Sequence, residues 1–277
     1  MPPKSRPYAL PIKLAAFVTS FLQACAAVGF LGAIKAKFLY RLAGDQRWTA
    51  TLRRTGKPFT FRPRGDIGAL SHFFMPNYHI EDTANLRIGV IIDGGANIGA
   101  ESVRFAHYFP QAKIISIELQ RENHEVLVEN TKHFPNVTPL HAALYATEQT
   151  LGVTRDSGGG KNANEGFHVT TEPASETIQA TTLDRLVEKH GLESIDILKL
   201  DIEGAEYVLF EPMDLRWLKL VKCLIFECPD ADRPYTTELI YAALARTGHK
   251  YRTRISGENI VLFREDVNWT LHVEPVF

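Results

Sequence analysis

The sequence predicts a doubly wound, mostly parallel α/β sheet that ends in an antiparallel hairpin and is preceded by a helical segment. Three observations carry this prediction. From Ile88 onward, short apolar runs alternate with helix-period segments, the pattern of parallel strands joined by helices on both faces. The first run leads through a glycine-rich turn, Asp93-Gly-Gly-Ala-Asn-Ile-Gly99, into a helix. Carboxylates close four of the runs, at Asp93, Glu118, Asp201 and Glu227. In open α/β sheets ligands bind beyond the carboxyl ends of the strands, so this placement also locates a site.

Each element has its own signal. The first strand is Ile88–Ile92, an apolar run suited to burial on both faces. The following helix carries Val103, Ala106 and Phe109 at three-residue steps, and Pro110 stops it. The second strand, Lys113–Ile117, ends in Glu118. A helix over Arg121–His133 is closed by Phe134-Pro135, and a third strand covers Val137–His141. Asp156–Gly166, rich in glycine and asparagine, reads as a loop. Thr181-Thr-Leu-Asp184 matches a capping box before Leu183, Leu186 and Val187, and Gly191 ends that helix. The fourth strand, Ile195–Leu200, ends in Asp201, and the fifth, Cys223–Phe226, ends in Glu227. A helix over Thr237–Arg246 stops at Gly248, and Tyr251–Ile255 and Ile260–Arg264 form a hairpin through Ser256-Gly257-Glu258-Asn259. Ahead of Ile88, Phe59-Thr-Phe-Arg62 reads as a short strand and Asp66–Tyr78 as helix or loop. The expected organisation is an apolar N-terminal helix over 1–45, a lead-in over 46–87 and the main domain over 88–277.

Composition narrows the function classes. Of 277 residues, 45% are hydrophobic and 23% charged, the balance of an ordinary globular protein. A formal charge of −1 makes no electrostatic case for nucleic acid. Cys25, Cys223 and Cys228 have no zinc spacing, and their odd number argues for a reducing compartment. Leu14–Ile34 holds no charged residue over 21 residues, the length of a spanning helix, but it includes Thr19, Ser20, Gln23, Gly29 and Gly32. Lys4, Arg6 and Lys13 precede it, and Lys35, Lys37, Arg41 and Arg47 follow. That slight C-terminal excess would keep the main domain cytoplasmic. A spanning anchor, an interfacial or packed helix, and a cleaved signal are the three readings; the last lacks a clear small-x-small cleavage site. The expected location is cytoplasmic, with membrane association through 14–34 under the anchor and interfacial readings.

The glycine turn carries the chemistry. Gly95-x-Asn97-x-Gly99 departs from the dinucleotide pattern G-x-G-x-x-G, and Asp93 would repel a pyrophosphate. The same carboxylate would attract a ligand with an amino group and a sulfonium, a description that S-adenosylmethionine fits. Glu118 suits a ribose, because a carboxylate accepts from two hydroxyls.

With these residues in place, the chain resembles the FkbM family of class I S-adenosylmethionine-dependent methyltransferases. The resemblance rests on Asp93–Gly99, Ile117-Glu118 with Asn123 and Asn130, Thr182–Leu186, Ile195–Glu206 and Leu224–Glu227, and it covers about residues 56–265. Its most specific part is Leu198-Lys-Leu-Asp-Ile-Glu-Gly-Ala-Glu206. It implies a Rossmann-like seven-stranded sheet whose last strand is antiparallel, and O-methylation of a hydroxyl on a sugar, glycan or other small natural product. It implies that Asp93, Gly95, Asn97 and Gly99 hold the methionine part of the cofactor and Glu118 its ribose. His141-Ala142-Ala143 would lie beside the adenine. Asp201 would sit next to the transferred methyl, with Lys199, Glu203 and Glu227 facing the acceptor or bracing the site. The N-terminal apolar segment departs from the family core.

Roles stay open on the residues alone. Lys199 shares a strand face with Asp201 and can pair with it, while Glu203 and Glu206 can cap the next helix. Methyl transfer is an in-line displacement that needs alignment above all, helped when a base takes the hydroxyl proton. Asp201, Glu227 or one of His72, His79, His107, His124, His133, His141 and His168 is available as base. No metal ligand is assigned, although Asp201, Glu203 and Glu227 around magnesium define a metal-dependent alternative. A 2′-O-RNA methyltransferase would use a Lys-Asp-Lys-Glu tetrad; Lys199, Asp201 and Glu227 match part of it, but the strand-one lysine is absent. A dehydrogenase is disfavoured by Asp93. A non-catalytic, membrane-tethered binding module on the same fold is the remaining alternative.

Overall fold

The structure, a computed structural model, describes residues 21–22, 24–34, 46–62, 66, 78, 80, 86–155, 167–227, 230 and 233–269. It divides into two compact units, Met1–Met75 and Pro76–Phe277.

In the first unit, residues 21–22 and 24–34 are helical, with Gly29 at φ +78°. A left-handed residue interrupts the helical path, so the apolar stretch is not one straight rod. Among the described residues no helix is long and apolar enough to cross a membrane, so the spanning reading gains no support. Strands β1 (Trp48–Thr51) and β2 (Pro58–Phe61) pair antiparallel. Phe59 and Phe61 are fully buried, and Arg62 bonds Asp66 through its Nε at 2.7 Å and its Nη2 at 3.0 Å. β2 matches the expected strand closely. The Asp66–Tyr78 expectation falls mostly outside the described residues, as does the Asp156–Gly166 loop.

The second unit is built on one seven-stranded sheet. Its elements in chain order are β3 (Val90–Gly94), α1 (Ala100–Tyr108), β4 (Lys113–Glu118), α2 (Arg121–Thr131), β5 (Val137–His141), β6 (Ala143–Leu144), β7 (Thr150–Arg155), β8 (Phe167–Thr170), β9 (Glu176–Thr181), α3 (Leu183–His190), β10 (Ile195–Leu200), α4 (Glu206–Phe210), β11 (Val221–Glu227), α5 (Thr236–Arg246), β12 (Tyr251–Ser256) and β13 (Asn259–Arg264). A 3₁₀ turn, Arg216–Leu220, precedes β11. The main sheet runs β12-β13-β11-β10-β3-β4-β5, with β13 antiparallel to both neighbours and the other pairings parallel. The expected Rossmann-like architecture and its terminal hairpin are present.

Period-2 alternation along buried strands feeds two cores. Ile92, Ile115, Leu198, Leu200, Leu224 and Phe226 pack with Leu186 of α3, Phe210 of α4 and Leu244 of α5. Ile91, Ile114, Ile197 and Ile225 face the other way, against Phe105 and Phe109 of α1. Burying each such side chain is worth about 1.5–3 kcal/mol, so both faces contribute heavily.

Two details differ from expectation. The N-cap of α3 is Thr182, whose Oγ1 accepts from Arg185 N at 3.0 Å. Arg185 then occupies the position a reciprocal box gives to Glu, so the cap works in one direction only. The second difference is a four-stranded sheet, β6-β9-β7-β8, that the sequence reading omitted. It has its own small core of Ala143, Leu151, Val153, Ile178 and Ala180. The chain enters it directly from β5 through the single residue Ala142.

At the opposite end of the main sheet, buried Asp196 gathers three donors: Gly89 N at 2.7 Å, Val90 N at 2.9 Å and Lys222 Nζ at 2.6 Å. This carboxylate pins the entry of β3 to β10 and β11. Asp196→Ala leaves two main-chain donors and an ammonium without their acceptor, and we expect a loss of about 3 kcal/mol in urea unfolding, with a lower midpoint.

Candidate active site

The site grows from the carboxyl ends of β3, β4 and β10. Beyond β3 the chain turns under Ile117, whose carbonyl accepts from Gly95 N at 3.0 Å and Ala96 N at 2.9 Å. Gly94 O accepts from Asp201 N at 3.0 Å, which ties the turn to the end of β10. Gly95, at φ +76°, lies so close to Asp201 that an added Cβ would meet its carbonyl oxygen at 1.7 Å. No other residue fits there. Asn97 also takes a left-handed conformation, φ +48°, which asparagine tolerates better than most residues.

Glu118 closes β4 and is buried. Its Oε2 accepts from Asn97 N and its Oε1 from Gln120 N, both at 2.8 Å. Burial nevertheless pushes its carboxyl up to about 7, and the two main-chain donors offset only part of that. The side chain of Asn123, which also lines the pocket, adds a third hydrogen bond to this carboxylate.

Behind the turn lies a buried charged seam on the α1 face. Asp93 and Lys199 are register partners on neighbouring strands. Asp93 Oδ2 accepts from Ser102 Oγ at 2.6 Å, and that hydroxyl also bonds Ser116 Oγ at 2.8 Å. Burial raises the Asp93 carboxyl to about 6, against the pull of Lys199. Lys199 Nζ reaches Asp201 Oδ2 at 3.0 Å. Burial works against its charge, but Asp201 and Asp93 together outweigh it and raise its pKa, so the ammonium persists. The lysine side chain is 4% exposed and the Asp201 side chain 39%, so the pair presents its acid outward.

After Asp201 the chain makes a tight turn with Glu203 at φ +52° and Gly204 at φ +88°. A left-handed glutamate costs about 1–3 kcal/mol, which surrounding contacts must offset. Glu206 does much of this: its carboxylate accepts from Ile202 N at 2.8 Å and Gly204 N at 2.9 Å. Glu227, at the end of β11, is exposed; partial burial and the charges of Asp201, Glu258 and Glu203 raise its carboxyl.

These elements line an open pocket at the carboxyl ends of the strands. Gly95, Asn97, Glu118, Ala142, Asp201 and Glu203 of the expected residues line it. The other expected residues stand elsewhere. Asp93 is sealed behind the wall with Lys199, Gly99 starts α1 against Leu127, and Glu227 stands beyond the rim. Asn123, Val169 and Ala205 also line the pocket and were not singled out as contacts. Val169 comes from the omitted small sheet, so its signal was hidden with β8.

The lining suits S-adenosylmethionine. Its polar side chains are mostly acceptors: Glu118, Asp201 and Asn97, whose Oδ1 is buried with no hydrogen-bond partner among the described residues. Such a set calls for a ligand rich in donors and positive charge, as ribose hydroxyls and an aminoacyl sulfonium provide. The fold and this pocket define a class I S-adenosylmethionine-dependent methyltransferase. The chain belongs to the Methyltransferase FkbM domain family, whose sequence profile matches residues 93–248. A curated relative, methyltransferase sdnD of Sordaria araneosa, is 28% identical over 197 residues, spanning 58% of this chain and 76% of that protein. Similar solved structures include methyltransferase FkbM from Methylobacillus flagellatus KT, at 11% identity and TM-score 0.41, covering 92% of this chain and 60% of that one. Fibrillarin of Aeropyrum pernix with natively bound S-adenosyl-L-methionine aligns at 10% identity and TM-score 0.39, covering 79% and 93%.

If Glu118 holds the ribose, as the resemblance implies, cofactor binding is pH-dependent. Without ligand its carboxyl titrates near 7, against 4.5 for a free glutamate, so the folded state holds the extra proton between those values. Hydroxyl donors favour the ionised form, so a ribose bound there would release that proton, and its binding would strengthen as pH rises through about 7. Calorimetry with S-adenosylhomocysteine should show affinity falling below that pH in the wild type, and a flatter profile in Glu118→Gln.

Proposed function

We propose that this methyltransferase transfers the methyl to a hydroxyl of a sugar, glycan or related natural product, without a metal ion. The observation that supports this most is the Lys199–Asp201 pair, a buried ammonium holding an outward-facing carboxylate at 3.0 Å beside the pocket. Bound S-adenosylmethionine supplies a methyl carried on a sulfonium sulfur. Gly95, Asn97, Glu118 and Ala142 are assigned to holding the cofactor, and Asp93 acts from behind through Lys199. Lys199 holds the Asp201 side chain in place, and that carboxylate accepts the hydrogen bond of the incoming hydroxyl and orients its oxygen. Glu227 follows Phe226, the register partner of Leu200, just as Asp201 follows Leu200. Partial burial and the neighbouring acids raise its carboxyl, and it is assigned as the proton acceptor. Glu203 bounds the acceptor side.

The test is a panel of sugar and hydroxylated natural-product acceptors, with methyl gain read by mass spectrometry. Asp201→Asn should lower kcat by about 10²-fold or more while cofactor affinity changes little. EDTA should leave the wild-type rate intact; loss with EDTA and recovery with magnesium would make the acidic rim a metal site and overturn the metal-free reading.

The 14–34 segment is assigned to a bilayer interface rather than a span. Leu22, Phe30 and Leu31 are 60%, 62% and 80% exposed, and Lys35, Lys37 and Arg41 follow in sequence. Apolar side chains beside basic residues match an anionic lipid surface. Full-length protein should float with phosphatidylserine-containing vesicles, and Phe30→Glu/Leu31→Glu should not; a wild type that stays below the vesicles contradicts the assignment.

A further inference from the structure

One contact at the site comes from outside the main sheet. His168, on β8 of the small sheet, lies 2.6 Å through Nδ1 from the carbonyl oxygen of Glu203. A carbonyl only accepts, so the imidazole donates from Nδ1. The same peptide plane is held at its other end, where Gly204 N donates to Glu206 Oε2 at 2.9 Å. The plane Glu203–Gly204 is thus gripped on both sides, once locally and once from a residue 35 positions away in sequence.

The grip matters because the turn is strained and its surroundings must hold it. Glu203 at φ +52° would be relieved by leaving its present conformation, and Gly204 at φ +88° puts no side chain in the way of that change. Relaxation of the turn would move the wall formed by Asp201, Ile202, Glu203 and Ala205, all of which line the pocket. Val169, the neighbour of His168, lines the same pocket. The small sheet therefore contributes both a wall and the donor that fixes the facing turn.

We infer that His168 is a positioning residue that sets the pocket wall by holding the Glu203–Gly204 peptide. It acts through the main chain of Glu203 and touches no reacting atom in this role. The inference deepens the methyltransferase reading and rests on the cofactor occupying this pocket.

The test compares wild type with His168→Ala, His168→Asn and His168→Gln as full-length proteins. Asparagine places an amide donor where Nδ1 stands, whereas glutamine places it one bond farther out. Calorimetry with S-adenosylhomocysteine should show affinity lowered about 3- to 10-fold in His168→Ala and His168→Gln, the effect of one lost hydrogen bond. His168→Asn should return it to within about twofold. In the unliganded proteins, hydrogen exchange over 201–206 should rise in the first two variants and not in the third. Wild-type affinity in His168→Ala, or equal losses in all three variants, overturns the inference. If the wild type fails to bind S-adenosylhomocysteine while His168→Ala still loosens 201–206, the positioning role stands and the cofactor reading fails instead.

Discussion

The contact between Gly95 and the carbonyl of Asp201 is the constraint on which the site depends. β3 and β10 are adjacent and parallel, so their carboxyl ends emerge side by side. For a pocket to open there, one chain must turn under β4 while the other turns away. Gly94 O and Asp201 N close that junction at 3.0 Å, and the missing side chain at Gly95 lets the backbones touch. Once these two strand ends are fixed, Glu118 from β4 and the 201–206 turn face each other across a defined gap. The carboxylates acquire their spacing from the sheet and not from one another.

Electrostatics then sets what the gap accepts. Lys199 sits at 3% exposure in an otherwise apolar layer, a position untenable for an ammonium without compensation. Asp93 and Asp201 provide it from opposite sides of the wall. Ser102 and Ser116 extend the polar seam into the α1 face, where Tyr78 donates to Glu101 at 3.1 Å. The interior charge is thereby nearly balanced, while the mouth retains Asp201, Glu203 and Glu227. The acids at the mouth favour cationic, donor-rich ligands over phosphates, while Asp93 behind the wall serves to balance Lys199.

Much of this was legible in the sequence, for a physical reason. Strands buried on both faces read as continuous apolar runs, and β3, β4, β10 and β11 all do so, with acids at or near their ends. The small sheet was illegible because its strands are apolar on one side only. In β9 Ile178 and Ala180 alone reach its core, while Glu176, Thr177 and Gln179 face solvent. Asp93 was legible but misread: alternation from Ile91 already assigns it to the α1 face, behind the turn. The clamp from His168 had no local signal, since it depends on how the second sheet folds back over a turn far along the chain.

The ends of the main sheet carry a consequence for assembly. On one side β5 has Pro139 at its midpoint, where a main-chain donor is missing. On the other, β12 alternates Arg252, exposed Thr253 and Arg254 along its outer run. An incoming strand would meet a missing donor on one side and bulky positive charge on the other. Growth of the main sheet by adding a ribbon of backbone is therefore disfavoured at both ends. The mouth of the sheet is thereby kept clear of a strand added at either of its two ends.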